Sequence, residues 1–511
     1  MPSKTTDISI KAIAPISYTL YYGTFIHTPT LTNLEISFNT IVGVNSQGVI
    51  DYIYKEYHPI DHNSQSPIEF FCKQQGTYTD EDVNFIDISR DYTKFFFPGF
   101  IDTHIHASQF PNVGIGLDTP LLDWLNKYTF PLESQFCGDG DKKMEFAKLV
   151  YTRVIQRTLL NGTTCASYFT TIDPETSNYF AELLLKLGQR GFVGKVCMDC
   201  NEPYPKYEES LEDCIKSMNK IIDHLDDINP EFDTLVKPII TPRFAPVCTR
   251  EMLTYLGNLS KRKSLPIQTH ISENKSEIEL VAKMFPDCGS YAEVYNRYNL
   301  LNEATILAHC IHFSPEECQL IADKNCSVSH CPTSNTFISS GEAPIRKYLY
   351  DYHINVSLGT DISGGFDSSI LHIIKHAILV SHHLSMKPVE ETAIDCKLSM
   401  TEGLYMSTMG GARAVGLEDQ IGSFTKGKKF DCQLIDLSTT TTTTTATDVF
   451  AWQVPQASES ADVKYAKMVD LLGKWVFSGD DRNCVAVWCN GRQVVDKTTT
   501  TGVDAKSNGV E

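Results

Sequence analysis

The chain has 511 residues, of which 42% are hydrophobic and 21% charged, and a formal net charge of −19; that is enough apolar material for one large core and a smaller second one. The negative charge opposes a phosphate backbone, and no Lys/Arg run forms a local basic stripe against it, so nucleic acid is excluded as a partner. No stretch approaches the ~20 apolar residues of a membrane helix, and Met1 to Lys11 lacks a basic segment followed by an apolar one, which predicts a cytoplasmic protein without a membrane partner.

In chain order, Tyr18 to Tyr54 alternates apolar and polar positions around Gly43 and a Gln47-Gly48 turn, which predicts a β-rich segment outside the main core. A polar insert separates His58 from Asp91. Apolar residues from Phe95 through Ile101 then predict a buried strand ending in Asp102-Thr103-His104-Ile105-His106. Residues two apart in a strand share a face, so His104 and His106 converge on one point. Alone, the pair reads equally as two core histidines or as two metal ligands.

From about Phe95 to Gly359, short β-branched runs alternate with amphipathic stretches such as Lys142 to Leu160, and Ser368 to His383 follows the last run. Eight strand ends are expected near His106, Phe169, Asp199, Arg243, His270, His309, His330 and Asp361. Eight β-α units predict a (β/α)8 TIM-like barrel, in which chemistry sits at the C-terminal strand ends. Phe430 to Leu437 and Cys484 to Val495, broken by Asn490-Gly491, repeat the N-terminal pattern, so both chain ends are expected to build a small β-sandwich domain. The predicted division is 1–94, 95–422 and 423–511. The Thr439 to Thr445 run and the tail from Lys497 to Glu511 read as mobile low-complexity segments without a chemical role.

The 16 cysteines are scattered and are expected to be reduced small hydrophobes. Cys197 and Cys200 form a Cys-x-x-Cys, but no second pair completes a four-sulfur site. His270 closes the run Leu265 to His270, and Glu273 follows at the strand-to-helix turn; taken singly, these read as a core histidine and a first-turn acid. Asp361 ends the apolar strand Ile354 to Thr360, where a carboxylate is costly to bury unless paired or metal-bound; otherwise it is a helix N-cap. Taken jointly, His104, His106, His270 and Asp361 make a nitrogen-rich set with room for water, suited to zinc or a similar divalent metal. Such a metal lowers the pKa of its water to about 7, which points to hydrolysis of an electrophilic carbon. His309, ending strand six, is placed to donate a hydrogen bond to the attacked group. His330 ends strand seven, in a loop that could shape the pocket, while His372 and His376 read as an ordinary helix face.

These residues resemble the metal-dependent amidohydrolase superfamily in its single-metal deaminase branch, and within it the members that deaminate guanine. The resemblance rests on DTHIHASQ (Asp102 to Gln109), LLDWLNKYTFP (Leu121 to Pro131), GQRGFVGKVCMD (Gly188 to Asp199), PIITPRF (Pro238 to Phe244), HISEN (His270 to Asn274) and GTDISGG (Gly359 to Gly365), and Ile421 to Asp431 is similar to the family's return strand into the outer sheet. It implies one zinc per chain on His104, His106, His270 and Asp361, a proton shuttle at Glu273, and catalytic parts for Asp361 and His309. It implies a substrate wall of His106, Ala107, Ser108, Gln109, Arg243, Phe244, His270 and Asp361, and a homodimer. The rivals among enzymes are another single-metal aminohydrolase of the same branch acting on a different aminated heterocycle, and a two-metal hydrolase of cyclic amides; the latter would bring a carboxylated lysine to strand four, but here that end is Thr241-Pro242-Arg243-Phe244, and Lys237 lies at the wrong end. A scaffold that had lost its chemistry would lack a ligand or the shuttle, and none is missing.

Overall fold

A break at Gly99 divides the apolar run that reads as one strand in the sequence. Lys94–Pro98 and Phe100–His106 are separate strands in different sheets. The Gly99 amide donates to Asp431 O (3.0 Å) and the Phe100 amide to Gly162 O (2.9 Å), so the chain changes partners at that residue. A Cβ on Gly99 would lie 2.2 Å from Thr164 Oγ1, so this crossing leaves no room for a side chain.

The computed structural model describes residues 17–498 apart from 63, 139, 230–233, 388–395 and 439–446; the Thr439 to Thr445 run and residues 499–511 of the tail therefore lie outside the described residues. The first strands are β1 (Tyr18–Thr30), β2 (Asn33–Val44), β3 (Ile50–Tyr54), β4 (Val83–Asp87), β5 (Lys94–Pro98) and β6 (Phe100–His106). They are followed by β7 (Thr163–Phe169), β8 (Arg190–Gly194), β9 (Val196–Cys197), β10 (Val236–Pro238), β11 (Thr241–Pro242) and β12 (Ile267–Ile271). The last are β13 (Thr305–His309), β14 (Ser327–His330), β15 (Asn355–Leu358), β16 (Cys432–Asp436), β17 (Cys484–Cys489) and β18 (Arg492–Asp496).

Both chain ends enter one eight-stranded sheet, ordered β18-β17-β16-β5-β1-β2-β3, with β4 alongside β1. Alternation along β1 explains its two coverings. Tyr18, Leu20 and Tyr22 pack with Phe70 and Phe71 of the helix Pro67–Gln75, whereas Tyr21 and Phe25 pack with Phe96, Phe430 and Trp488. The polar insert between His58 and Asp91 thus supplies a covering helix and an extra strand, β4, which runs parallel to β1.

The remaining strands form parallel sheets ordered β10-β8-β7-β6 and β12-β13-β14-β15, with β11 beside β9. Ile240 bridges in parallel to Ile267, and beyond β15 the Asp361 amide donates to His104 O (2.8 Å) while the His106 amide donates to Ile362 O (3.1 Å). Helices follow the strands, as in Asp141–Leu160 and Ile370–Met386, close to the segments expected from periodicity. Two features tie the sheets together. Trp475 of the helix Ala461–Ser478 stacks on Phe100 at 5.8 Å and meets Phe95 and Phe97 edge-on, spanning the Gly99 break. Arg190 of β8 pairs with Asp431 at 3.2 Å, both buried, and Asp431 also accepts from the Asn490 amide at 2.7 Å. All 16 cysteines are free thiols.

Candidate active site

The C-terminal ends of β6, β12 and β13, with the residues just after β15, bring five side chains to one point. The Nε2 atoms of His104 and His106 lie 3.2 and 3.4 Å from Asp361 Oδ1. His106 Nε2 is 3.2 Å from His270 Nε2, and His309 Nε2 is 3.9 Å from Asp361 Oδ2. Four donor atoms, one each from His104, His270, His309 and Asp361, lie within 4.8 Å of one another. The approach of β15 to β6 that makes this possible needs Gly359, whose Cβ would sit 2.7 Å from that of His104.

The imidazoles of His106, His270 and His309 are neutral. Burial is the chief reason that His106 and His309 are held down at about 4 and His270 well below its ordinary range. The Nδ1 of His270 lies 2.6 Å from Arg243 O, and that of His309 lies 2.8 Å from Asn335 Oδ1. With a proton on each Nδ1 to donate to these acceptors, both Nε2 lone pairs face the cluster. Among the described residues, His104 Nε2 and His309 Nε2 are buried without a hydrogen-bond partner. The backbone is strained at the same place: His309 (φ 71°) and Asp361 (φ 46°) occupy left-handed conformations, which cost on the order of 1–3 kcal/mol each.

Glu273 stands beside this group. Its Oε2 is 3.5 Å from His309 Nε2, and its Oε1 is buried without a hydrogen-bond partner among the described residues. Burial, reinforced by the charges of Asp361 and Glu277, pushes its carboxyl well above the usual carboxylate range. A buried acid with one uncommitted oxygen is suited to carrying a proton.

A cavity opens from these groups. It is lined by His106, His270, Glu273, His309 and Asp361 together with Gln109, Arg243 and Phe244. Leu121, Trp124 and Leu125 complete it from the helical segment Leu121–Trp124, Leu125–Thr129 and Phe130–Glu133, which contains a π-helical turn. Gln109 Nε2 donates to Glu133 Oε1 (2.9 Å), while its Oε1 accepts from the Ser363 amide (3.2 Å). Arg243 Nη1 donates to Glu133 Oε2 (2.5 Å), and the guanidinium lies 5.1 Å from the centre of the Phe130 ring. Arg243 thus makes an ion pair, but a buried one at the cavity wall.

Ala107 and Ser108 do not line the cavity. Ala107 packs in the apolar cluster containing Ile105, Phe136 and Tyr151, and Ser108 Oγ lies 3.4 Å from both Glu133 Oε1 and Thr170 O. His330 is buried without a hydrogen-bond partner among the described residues. His372 pairs with Asp367 at 2.5 Å, away from the cluster. Glu133 and Asn335 carry no assignment in the sequence reading. Glu133 lies just beyond the LLDWLNKYTFP segment, where an acid between Phe130 and Phe136 was the available signal; Asn335 ends the run HCPTSN after β14.

The amidohydrolase family model matches residues 95–494. Over 96% of its length the chain is 42% identical to a probable guanine deaminase of Schizosaccharomyces pombe, of which it covers 84%. It is 40% identical to a guanine deaminase of Dictyostelium discoideum and 36% identical to that of Homo sapiens, in each case over 93% of this chain and 98% and 96% of the relative. The structure of the C. acetobutylicum guanine deaminase with bound guanine in the active site matches with a TM-score of 0.76 at 32% identity, covering 93% of this chain and 99% of that one. With the family model matched over residues 95–494 and guanine deaminases at 36–42% identity along most of the chain, the chain belongs to the amidohydrolase family, among the guanine deaminases.

Proposed function

We propose that this enzyme hydrolyses guanine to xanthine and ammonia, with Glu273 carrying protons beside a single zinc held by His104, His106, His270 and Asp361. The observation that carries this reading is that one cavity joins the histidine–carboxylate cluster to Arg243 and Gln109, in a chain whose relatives are guanine deaminases.

The donors fit a metal. Zn–N bonds of about 2.0–2.1 Å in a tetrahedral site require neighbouring donors roughly 3.3–3.4 Å apart. Three contacts in this set, His104–Asp361, His106–Asp361 and His106–His270, run from 3.2 to 3.4 Å, and the Nε2 lone pair of His270 already points inward. His309 lies nearer to Glu273 than to Asp361, which sets it beside the proton carrier rather than among the four ligands, and its Nε2 donates a hydrogen bond to the attacked group once it has taken a proton from Glu273. A zinc ion at this point supplies Lewis acidity and an acidified water. Asp361 takes the proton of the attacking water. Glu273 donates its proton to the ring nitrogen next to the carbon under attack, is recharged with the water proton that Asp361 took, passes it to the departing amine, and recovers a proton from the new hydroxyl as the carbonyl forms. Arg243 donates to the ring carbonyl, Gln109 pairs with a ring edge and Phe244 offers an apolar wall.

The decisive experiment follows absorbance for xanthine formation with guanine, adenine, cytosine and a triazine as substrates. Release of ammonia from guanine is expected, and turnover confined to another base would overturn the assignment. Two substitutions refine the roles. Arg243→Ala raises KM for guanine with a smaller effect on kcat, and an unchanged kcat/KM would remove Arg243 from the wall. Asn335→Ala, which frees the His309 ring to turn, lowers kcat/KM by about tenfold, the scale of losing a partner that orients a histidine.

The parallel strands are read as a closed (β/α)8 barrel over 95–422, and the ends 1–94 and 423–511 as a β-sandwich domain, supported by the contacts of Ile240 with Ile267 and of Asp361 with His104. No described helix is long and apolar enough to cross a membrane. We assign the enzyme to the cytoplasm as a homodimer, which sedimentation would test.

A further inference from the structure

Glu133 is buried at the end of the helical segment that covers the cavity, and both of its oxygens are engaged by groups of the cavity wall. We propose that Glu133 is a positioning residue that fixes the hydrogen-bond order of the purine wall and, by neutralising Arg243, lets the acidic product leave. The inference rests on the reading that Arg243 and Gln109 contact the purine.

The first part follows from polarity. An amide side chain flips end for end at little cost unless its flanks differ. Here they differ: an anionic acceptor stands on one side of Gln109 and the Ser363 N–H on the other. Gln109 Nε2 must face Glu133 and Oε1 must face Ser363, so the N–H and lone pair left for the ligand come in one order. Arg243 is held in the same way, with Nη1 on Glu133 and its plane near the Phe130 ring. One carboxylate therefore sets two of the groups that read the ring.

The second part follows from charge. Guanine is neutral when it enters. Xanthine has a ring N–H between two carbonyls, is more acidic, and exists partly as an anion near neutral pH. An unpaired guanidinium in a buried wall would hold that anion far more tightly than it holds neutral guanine. Besides Glu133, Tyr207 and Asp361 are the ionisable groups whose fields reach Arg243 most strongly; Tyr207 is a neutral phenol and Asp361 is engaged with the histidines. Glu133 is thus the anion available to offset Arg243.

The test uses the full-length, metal-loaded enzyme and compares guanine kinetics with inhibition by xanthine, below and above the ionisation of xanthine. For Glu133→Gln, KM for guanine rises about tenfold, and the ratio of the xanthine inhibition constant to that KM falls about tenfold above the ionisation but changes little below it. Glu133→Asp keeps the charge at a shorter reach, so it raises KM without the pH-dependent change in the ratio. The double variant Glu133→Gln with Arg243→Gln, which removes both charges, restores the wild-type ratio and serves where the single variant does not fold. A ratio unaltered in Glu133→Gln and equal in the double variant overturns the inference, provided that Arg243→Gln raises KM. If Arg243→Gln leaves KM untouched, the purine wall itself is misassigned and the inference falls with it.

Discussion

Glu273→Gln lowers kcat for guanine by at least about 100-fold, the scale typical of losing a general acid or base, while fold and metal content stay unchanged. The size follows from the position of the residue. Its Oε1 is buried without a hydrogen-bond partner among the described residues and its Oε2 faces His309, so the amide variant keeps volume and neutrality but cannot pass a proton. The variant should also retain guanine binding, because Arg243 and Gln109 are secured by Glu133, not by Glu273. Circular dichroism, metal analysis and steady-state rates check the three statements together. Undiminished turnover would remove Glu273 from the chemistry.

Dialysis against a strong chelator abolishes activity, and about one equivalent of zinc per chain restores it. The donors explain why nothing in the chain substitutes for the metal. His106, His270 and His309 are neutral because burial disfavours their charged forms, so none of them brings the positive charge that a metal supplies. Metal analysis of the purified enzyme checks the stoichiometry. Two tightly held ions per chain would point to the two-metal reading instead, although the end of the fourth parallel strand offers Arg243 and Phe244, not a lysine.

Much of this site is legible in the sequence because each of its strands ends in a residue that an apolar strand would otherwise exclude. His106, His270, His309 and Asp361 stand out for that reason, and all line the cavity. The Gly99 break is invisible to the same logic, since Phe95 to Ile101 stays apolar on both sides of it and only packing against Thr164 reveals the change of sheet. Glu133 is missed because its importance lies in its partners, Gln109 and Arg243, 24 and 110 positions away. Ala107 and Ser108 are adjacent to true wall residues in the chain, yet the turn after His106 directs them into packing and toward Glu133. Asn335 likewise acquires its role only when the short helix Pro332–Phe337 after β14, where the sequence reads as a loop, brings its Oδ1 to His309.

The change of sheet at Gly99 has a mechanical corollary. The histidines of β6 are suspended from a splice whose upstream end is woven between β16 and β1, so polypeptide from both termini anchors the first pair of imidazoles. A fragment trimmed to the parallel strands would keep every chemically competent side chain and still release one end of that tether, loosening the aim of His104 and His106 from a distance.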